Sequence, residues 1–409
     1  MASEHSKASG GESQDAGGVK ASVLHGVKEL KIVRFLLELY EAYTYILQES
    51  RSLGPPAPSE VQVAVQATGL CGSDLHYFNH YRNGDIIVRE PLTLGHESSG
   101  VVTEVGSAVN GLKIGDRVAL EVGLPCGKCE LCNGGRYNIC KEMKFRSSAK
   151  AYPHFQGTLQ ERINHPASFC YKLPSNVSLE LGAILEPLGV AMHGSRRAAL
   201  KPQSTVLIFG AGAVGLLCAA MSKVSGAKQV IIADIQGDRV DFAVENKFAD
   251  AKIVVPMKRP QTIDEKLAFA KEVAELVKGA SGIGEVDAVF ECTGVESCLQ
   301  AAIYSTRPGG RIMLIGMGSP VQTLPISAAA LREVDLVGVF RYADTYAAAI
   351  ELVSSGNPSL PDLSKLITQR FEGFDAIPEA FAMAGRVKDD EGKLVLKVLV
   401  DTGKVSPRL

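Results

Sequence analysis

The sequence predicts an α/β protein in which a barrel-like β unit precedes a parallel sheet with helices on both faces. Up to about Pro174, short segments with period-two alternation are broken by Gly and Pro, as in small barrels. Beyond Leu181, apolar strand-like runs alternate with helical stretches, which is typical of βαβ units. The last apolar run, Lys393–Val400, predicts a strand, so we expect the C-terminus to complete the β unit.

Individual strands of both units follow from the hydrophobic pattern. In the β unit, the strand candidates are Glu60–Gln66, Gly100–Gly106 and Asp116–Val122. The parallel sheet is predicted to contain Thr205–Phe209, Gln229–Asp234, Asp287–Glu291 and Arg311–Gly316.

The composition is that of an ordinary soluble globular protein. It has 409 residues, enough for two or three domains, with 46% hydrophobic and 22% charged residues. The net charge of −2 gives no electrostatic footprint for nucleic acid or an anionic membrane. No apolar run reaches the roughly 18–20 residues that a membrane span needs.

The N-terminus and the cysteines indicate the compartment. Residues 1–20 are rich in Ser, Gly and charge and lack the apolar core of a secretion signal, so we expect a disordered tail. Four of the nine cysteines fall between Cys126 and Cys140, and this clustering favours metal binding over disulfides. We therefore expect a cytoplasmic protein.

A glycine-rich motif marks a dinucleotide site. Gly210, Gly212 and Gly215 form G-x-G-x-x-G between a predicted strand and the helix-forming run Leu216–Lys223. The glycines allow a tight turn, close approach of a pyrophosphate and close helix packing, and the helix N-terminus attracts the phosphates. Asp234 ends the next strand, where a carboxylate binds a ribose 2′-hydroxyl and repels a 2′-phosphate. The pattern favours NAD over NADP, and the alternative is a purely structural glycine turn.

The cysteine cluster has the spacing of a metal site. Cys126, Cys129, Cys132 and Cys140 offer four thiolates, which suit a closed tetrahedral structural zinc site. An iron–sulfur cluster and unliganded buried cysteines are the alternatives.

A second candidate metal set combines different ligands. Cys71, His96 and Glu97 offer a thiolate, an imidazole and a carboxylate, and three protein ligands leave a position for water or substrate. Zinc there lowers the pKa of a bound hydroxyl and prepares an alcohol to lose hydride. The alternative is that these residues belong to the core. Glu186 lies where the two units meet, although an acid that starts a helix beside Pro187 is the simpler interpretation from the residues alone.

Several motifs resemble those of one enzyme family. Gly95-His-Glu-Ser-Ser-Gly100, followed by Gly106-Ser-Ala-Val109, resembles the signature of zinc-containing alcohol dehydrogenases in the medium-chain dehydrogenase/reductase superfamily. Further segments are similar to its polyol dehydrogenases, namely Gly69–Tyr77, Phe169–Pro174, Gly182–Leu188, Glu291–Gly294 and Arg332–Tyr342. The resemblance covers the chain from about Ala21 to Val400, apart from one segment described below.

The resemblance implies a fold, a domain division and roles for individual residues. The expected domains are a GroES-like catalytic domain over residues 21–188, a Rossmann NAD-binding domain over 189–339 and a return to the catalytic domain over 340–409. The implied zinc ligands are Cys71, His96 and Glu97, with Glu186 as a fourth ligand or a holder of the zinc-bound water. The implied proton relay is Ser73 and His76, and the implied polyol contacts are Tyr77, Glu186, Arg341 and Tyr342. The implied NAD contacts are Gly210, Gly212, Val214, Gly215, Asp234, Arg239, Ile315, Val339 and Phe340.

The resemblance also implies a substrate class. We expect NAD-dependent oxidation of sorbitol or xylitol to the ketose, because His76-Tyr77 differs from the His-Phe of arabinitol enzymes. The alternatives are an L-arabinitol, threonine or butanediol dehydrogenase of the same superfamily and, in another class, a catalytically silent NAD-binding protein. By analogy we expect a homo-oligomer, a tetramer or a dimer.

One segment departs from the family pattern. Val33–Gln48 is a dense apolar run, and its deletion joins Ile32 to Glu49 and restores the family's strand and Pro-rich turn. Val-Arg can be encoded by a sequence that begins with GT, and Gln by CAG, which are splice donor and acceptor sequences. Our hypothesis is that this segment translates a retained intron, and it leaves open whether the chain is active with it. The alternative is a real insertion that forms a surface helix.

Overall fold

The computed structural model describes residues 18–27, 44–282 and 284–403. Residues 18–20, at the end of the predicted tail, belong to the first strand, and the rest of that tail lies outside the described residues. Residues 33–43 of the predicted insertion also lie outside them. Its last residues, from Thr44 to Gln48, begin a strand, so the alternative of a helix over the whole segment is wrong for that end.

The first part of the chain folds as a β unit of many short strands. Its strands are β1 (Gly18–Val27), β2 (Thr44–Ser52), β3 (Glu60–Gly69), β4 (Arg82–Asn83), β5 (Ile86–Ile87), β6 (Leu92–Thr93), β7 (Glu97–Val105), β8 (Arg117–Leu120), β9 (Gly123–Leu124), β10 (Lys144–Phe145), β11 (Arg162–Pro166) and β12 (Cys170–Lys172). Two helices interrupt them, α1 (Gly72–His80) and α2 (Glu130–Asn133). The three strand predictions for this unit are confirmed at β3, β7 and β8.

Sheet pairing brings distant parts of the β unit together. A seven-stranded sheet has the order β12-β8-β7-β3 and then two strands from the C-terminus, with β11 also paired to β3. Strands β3 and β7 are antiparallel, and Gly69 lies opposite Glu97. Strand β1 pairs with β2 and β6 in a separate three-stranded sheet.

The second part is a parallel sheet with helices between its strands. Its elements are α3 (Leu179–Ala198), β13 (Thr205–Phe209), α4 (Ala213–Val224), β14 (Gln229–Asp234), α5 (Gly237–Glu245), β15 (Ala251–Val254), α6 (Ile263–Ser281), β16 (Val286–Glu291), α7 (Glu296–Ser305), β17 (Thr306–Leu314), α8 (Ile326–Ala330) and β18 (Asp335–Gly338). The strand order β15-β14-β13-β16-β17-β18 is the doubly wound dinucleotide-binding order. The crevice of such a sheet lies at the carboxyl ends of β13 and β16, where the strand order reverses.

The C-terminal part returns to the first sheet. Its elements are α9 (Tyr346–Ser354), β19 (Ile367–Glu372), α10 (Ile377–Ala384) and β20 (Lys397–Asp401), and β20 pairs with β3. The predicted strand Lys393–Val400 starts four residues too early. The Asp389 carboxylate accepts the backbone N–H of Glu391 and of Lys393, so a turn occupies that stretch.

Helix α3 joins the two units. Ser178 caps its N-terminus, because the side-chain oxygen accepts the N–H of Leu181. Its buried side chains belong to one core cluster that contains Ala67 and Ala119 of the β unit and Val206 of the parallel sheet. The boundary predicted at residue 188 falls inside this helix, so α3 packs against both units. Among the described residues, no helix has the length and apolar character to cross a membrane.

Candidate active site

The three residues of the mixed ligand set meet where two paired strands end. Cys71 follows β3 and is the N-cap residue of α1, while His96 and Glu97 stand at the start of β7. One ligand atom from each of the three lies within 4.8 Å of the others, and His96 and Glu97 are buried. A thiolate, an imidazole and a carboxylate this close together fit a zinc ion with an open fourth position.

Asp74 holds this ligand set in place, and the sequence analysis missed it. Its Oδ1 lies 3.3 Å from His96 Nδ1 and accepts hydrogen bonds from Ser147 Oγ and the Gly95 N–H, while Oδ2 accepts the Cys71 N–H. The contact orients the imidazole so that its Nε2 is left for a metal. Although burial raises the pKa of Asp74, the charge of His96 and the hydrogen bonds from His96, Ser147 and Gly95 together lower that pKa below its ordinary value. The sequence did offer a signal for Asp74, because it lies three residues after Cys71, the spacing of a capping box.

Lys397 is a second missed residue of the site. Its Nζ donates to both oxygens of Glu97, at 2.8 and 2.7 Å, and to the carbonyl oxygen of Leu70. Both side chains are almost fully buried, so the ammonium balances the charge of the carboxylate. The absence of a side chain at Gly69 makes room, since a Cβ there would lie 2.3 Å from Glu97 Oε2. A lysine within the apolar run of β20 was the available signal.

Glu186 approaches the ligand set from the other unit. It lies on α3, is 5% exposed, and has a pKa raised to about 7, mainly by burial. His96 and Arg341 act on it in the opposite direction, whereas Glu97 adds to the rise. The helix that joins the two units therefore brings a carboxyl group with a strongly perturbed pKa to the predicted metal site, a common feature of catalytic clefts.

The predicted polyol contacts gather around Glu186. Burial lowers the pKa of Arg341 to about 10, and Tyr342, Glu186 and Tyr77 partly offset this. The Arg341 guanidinium lies 3.5 Å from the ring centroid of Phe145. The Tyr342 hydroxyl is buried and has no hydrogen-bond partner among the described residues. Tyr77 is buried too, but its hydroxyl already accepts the N–H of Ala149.

The predicted relay residues lie on α1. Ser73 is half-buried and His76 is exposed, and their spacing of three places them on the same helix face. Within the described part of the chain no hydrogen bond joins their side chains directly. The two residues thus run along α1 from the half-buried position 73 to the exposed position 76.

The glycine loop has the geometry that its motif requires. Gly210 has φ +96°, and a Cβ at Gly215 would lie 1.8 Å from the Gly210 carbonyl oxygen. A Cβ at Gly212 would meet nothing within 4 Å, so this side of the turn is open to a ligand. Gly212 is also the N-cap of α4 and offers no capping side chain, which leaves the helix N–H groups for an anion. Val214 lies in that first turn.

The other predicted cofactor contacts surround the crevice. Asp234 ends β14 and accepts the N–H of Ala211 from the glycine loop at 2.7 Å. Arg239 lies on the following helix, and its Nε has no hydrogen-bond partner among the described residues. The backbone N–H of Ile315 donates a hydrogen bond to the Glu291 carbonyl oxygen, and that of Val339 donates to the Leu314 carbonyl oxygen. Both residues therefore lie at the carboxyl edge of the sheet, and Phe340 follows Val339. A cavity of about 310 Å³ lies there, lined by residues that include Glu291, Gly294 and Gly316.

The four clustered cysteines form a separate lobe over residues 126–140. The Sγ–Sγ distances are 3.4 Å for Cys129–Cys132 and 3.9 Å for Cys126–Cys132 and Cys129–Cys140. A tetrahedron with bonds of about 2.3 Å has edges of about 3.8 Å, so the set fits one zinc ion. A disulfide is excluded, and the sulfurs leave no room for a multi-iron cluster. Hydrogen bonds from the Lys128 and Cys129 N–H groups lower the pKa of Cys126 to about 7.

Comparison with known families agrees with both halves of this architecture. Residues 57–175 match the family described as alcohol dehydrogenase GroES-like domain, and residues 213–355 match the family described as zinc-binding dehydrogenase. Helix α3 lies in the chain between the two matched ranges.

Individual relatives point to the same group. The chain is 44% identical to a protein of Arthroderma otae named "Probable D-xylulose reductase A" over 80% of this chain and 88% of the relative. It is 39% identical to the sorbitol dehydrogenase of Arabidopsis thaliana, covering 90% and 92% of the two chains. The solved structure of an Escherichia coli short chain alcohol dehydrogenase with NADH is 25% identical, has a TM-score of 0.75 and covers 94% and 99%.

These matches confirm the predicted fold, a GroES-like unit with a Rossmann sheet, and the prediction that the chain is an enzyme. Zinc and a nicotinamide dinucleotide are the cofactors of this family, as the family description and the bound NADH indicate. With an identity of 44% over four fifths of its length, the chain belongs to the zinc-containing polyol dehydrogenases of the medium-chain dehydrogenase/reductase superfamily.

Proposed function

We propose that this protein oxidises sorbitol or xylitol to the ketose with NAD as the hydride acceptor. The carbinol C–H bond breaks with its electron pair, the hydride passes to NAD, and the hydroxyl proton leaves to solvent. The observation that carries the proposal is the convergence of Cys71, His96 and Glu97, with Glu186 of α3 close enough for His96, Glu97 and Arg341 to influence its pKa.

The ligand set supplies the activation of the alcohol. When bound there, a zinc ion favours loss of the proton from a hydroxyl group that lies against it. Asp74 keeps the His96 ring in one orientation, and Lys397 keeps the Glu97 carboxylate in place. The chain itself contributes a fixed arrangement of the atoms that would bind the metal.

The hydroxyl proton needs a path out of the buried site. Ser73 and His76 supply it on one face of α1, the first half-buried and the second exposed. The exposed imidazole of His76 is in a position to pass a proton to water. Movement of the Ser73 hydroxyl towards the substrate would complete this relay.

Selection of a polyol over a simple alcohol needs several polar groups beside the reacting hydroxyl. Arg341 is half-buried and has no ion-pair partner within 4 Å among the described residues, and the Tyr342 hydroxyl is buried without a hydrogen-bond partner there. Leaving such groups buried without partners is costly, so a ligand with several hydroxyl groups is favoured there. Both the sorbitol dehydrogenase and the xylulose reductase relatives carry names of this chemistry, since reduction of a ketose is the reverse of polyol oxidation.

The preference for NAD depends on Asp234. Its carboxylate lies next to the glycine loop, where it accepts a ribose hydroxyl and repels a 2′-phosphate. We expect Asp234→Ala to raise the KM for NAD about tenfold and to narrow the preference for NAD over NADP. Steady-state kinetics with both cofactors checks this, and an unchanged NAD/NADP ratio would contradict the role.

A substrate panel tests the proposed activity. NADH formation should be fastest with xylitol or sorbitol and at least tenfold slower with L-arabinitol, L-threonine and 2,3-butanediol. Faster oxidation of threonine or butanediol would overturn the polyol assignment. NADH binding without any oxidation would support the silent NAD-binding alternative.

The panel is run on the full chain and on a variant that lacks residues 33–48. Higher activity of the shorter chain is the expected result of the retained-intron hypothesis, and mature messenger RNA that contains these codons would contradict it.

We also propose a cytoplasmic location, supported by nine cysteines that form no disulfide, and a dimer or tetramer.

A further inference from the structure

We propose that Tyr137 and Asn138, on the four-cysteine lobe, are positioning residues that fix the segment Phe340–Asp344 and so set the affinity for the polyol. This inference rests on the proposed function, because the segment carries Arg341 and Tyr342. The lobe then does more than stabilise the fold: it shapes the substrate side of the active site.

The residues of the segment Phe340–Asp344 do not by themselves favour its backbone conformation. Arg341 and Asp344 have φ values of +51° and +52°, in the left-handed region that side-chain-bearing residues rarely adopt. Such a backbone persists only where surrounding contacts determine it. Neither residue is a glycine, so both adopt positive φ at a steric cost.

The lobe holds both ends of this segment. The Asn138 Nδ2 donates to the Phe340 carbonyl oxygen at 2.7 Å, and the Tyr137 hydroxyl accepts the N–H of Asp344 at the same distance. Asn138 is 3% exposed, so its hydrogen bond is shielded from water. From α3, Arg196 adds hydrogen bonds to the carbonyl oxygens of Ala343 and Asp344.

A buried carboxylate fixes the direction of the Tyr137 hydroxyl. Its proton is donated to Glu121 Oε1 at 2.6 Å, which leaves an oxygen lone pair for the Asp344 N–H. The other oxygen of Glu121 accepts the Tyr171 hydroxyl at 2.8 Å. Glu121 is fully buried, and burial raises its pKa above the ordinary value.

The position of these two residues in the lobe connects the cysteines to the substrate segment. Tyr137–Ile139 is a single 3₁₀ turn that lies between Cys132 and Cys140. Ligation of the flanking cysteines fixes the path of this turn, so the lobe presents both side chains in one orientation. A change in the turn would displace Arg341 and Tyr342 without touching either of them.

Two variants with matched controls test the proposal in the full chain. Tyr137→Phe removes the contact with Asp344 and one bond to Glu121, whereas its control Tyr171→Phe removes only the other bond to Glu121. Asn138→Ala removes the contact with Phe340 and a longer one with His193, whereas Asn133→Ala removes a hydrogen bond to Lys128 inside the lobe.

We expect Tyr137→Phe and Asn138→Ala each to raise the KM for xylitol and sorbitol about five- to tenfold, as the loss of one hydrogen bond to the segment implies. Both controls should change KM less than twofold. Zinc content and the dissociation constant of NADH should stay within twofold of the wild type in all four. In an Arg341→Ala background, the effect of Tyr137→Phe on KM should be smaller than in the wild type, because Arg341 is one of the two residues through which it acts.

Unchanged KM values in both variants, or equal rises in the controls, would overturn the inference. So would a loss of thermal stability and kcat with KM unchanged, or an additive effect in the Arg341→Ala background. A wild-type enzyme that oxidises no polyol contradicts the proposed function, and this inference with it. An active wild type with variants that behave like their controls contradicts the inference alone.

Discussion

The two sets of metal-ligating residues lie in one β unit but are assembled differently. Cys126, Cys129, Cys132 and Cys140 come from a single stretch of fifteen residues, and their sulfurs already lie 3.4–3.9 Å apart in three pairs. In contrast, Cys71 meets His96 and Glu97 only because β3 pairs with β7.

The surroundings of the two sets differ as well. The lobe cysteines are mostly half-buried, and the hydrogen bonds among them are local. His96 and Glu97 are buried and depend on Asp74 and on Lys397, which lies 300 residues from Glu97. We expect the local four-cysteine set to contribute mainly to the stability of its own segment. The set assembled by the tertiary fold should contribute mainly to catalysis. The two sets should therefore respond to mutation in opposite ways.

The largest expected effect separates chemistry from folding. Cys71→Ser and His96→Ala should lower kcat for xylitol at least about 10³-fold, since the alcohol loses its activating group. The dissociation constant of NADH should change less than threefold, because the glycine loop is untouched. Stopped-flow kinetics and NADH fluorescence titration measure both quantities. Retained oxidation in either variant would break the comparison.

Loss of a lobe cysteine should affect stability more than chemistry. Cys132→Ser removes one of four ligands, and we expect the free energy of unfolding to fall by about 3 kcal/mol. The same substitution at Cys71 should cost less than about 1 kcal/mol. Denaturant unfolding of the two variants provides the check, and equal losses of stability would show that the sets do not differ in this way.

The ion pair of Lys397 sharpens the comparison. Lys397→Met leaves Glu97 as an unpaired buried carboxylate, so the zinc-free protein should lose about 3 kcal/mol of stability. With zinc present the loss should be smaller, because the ion neutralises the carboxylate. Lys393→Met is the matched control, since that lysine pairs with Glu391 at the surface. Melting curves with and without a chelator measure the difference, and an equal loss in both would contradict it.

The smallest expected effect is a pH dependence of the β unit that belongs to neither set. Burial and then Arg146 lower the pKa of His165 to about 3. In the unfolded chain this histidine takes up a proton below its ordinary pKa of about 6.5, whereas in the folded chain it does not. The free energy of unfolding therefore decreases as the pH is lowered, by about 1.4 kcal/mol at pH 5.5. His165→Gln should remove this part of the pH slope. An unchanged slope between pH 8 and 5.5 would exclude His165 as its source.

The sequence predicted what local pattern encodes. The strands Thr205–Phe209 and Gln229–Asp234 agree with the structure at both ends, because buried parallel strands are continuous apolar runs. The four-cysteine spacing was equally local. Lys397 was missed because its partner Glu97 is brought to it only by the pairing of β20 with β3.

Other parts of the site needed family resemblance or the structure. Glu186 reads as an ordinary helical acid, and only the packing of α3 between the two units buries it near the ligand set. The left-handed backbone at Arg341 depends on contacts from Asn138 and Tyr137, about 200 residues away. No pattern around Arg341 itself indicates that conformation.

The most direct test of the account is the zinc content of the purified wild type, Cys71→Ser and Cys132→Ser, measured together with xylitol-dependent NADH formation. We predict two zinc ions per chain in the wild type and one in each variant, with Cys71→Ser inactive yet able to bind NADH. A wild type with a single zinc ion, or a Cys71→Ser variant that oxidises xylitol at the wild-type rate, would contradict the assignment of separate roles to the two sets.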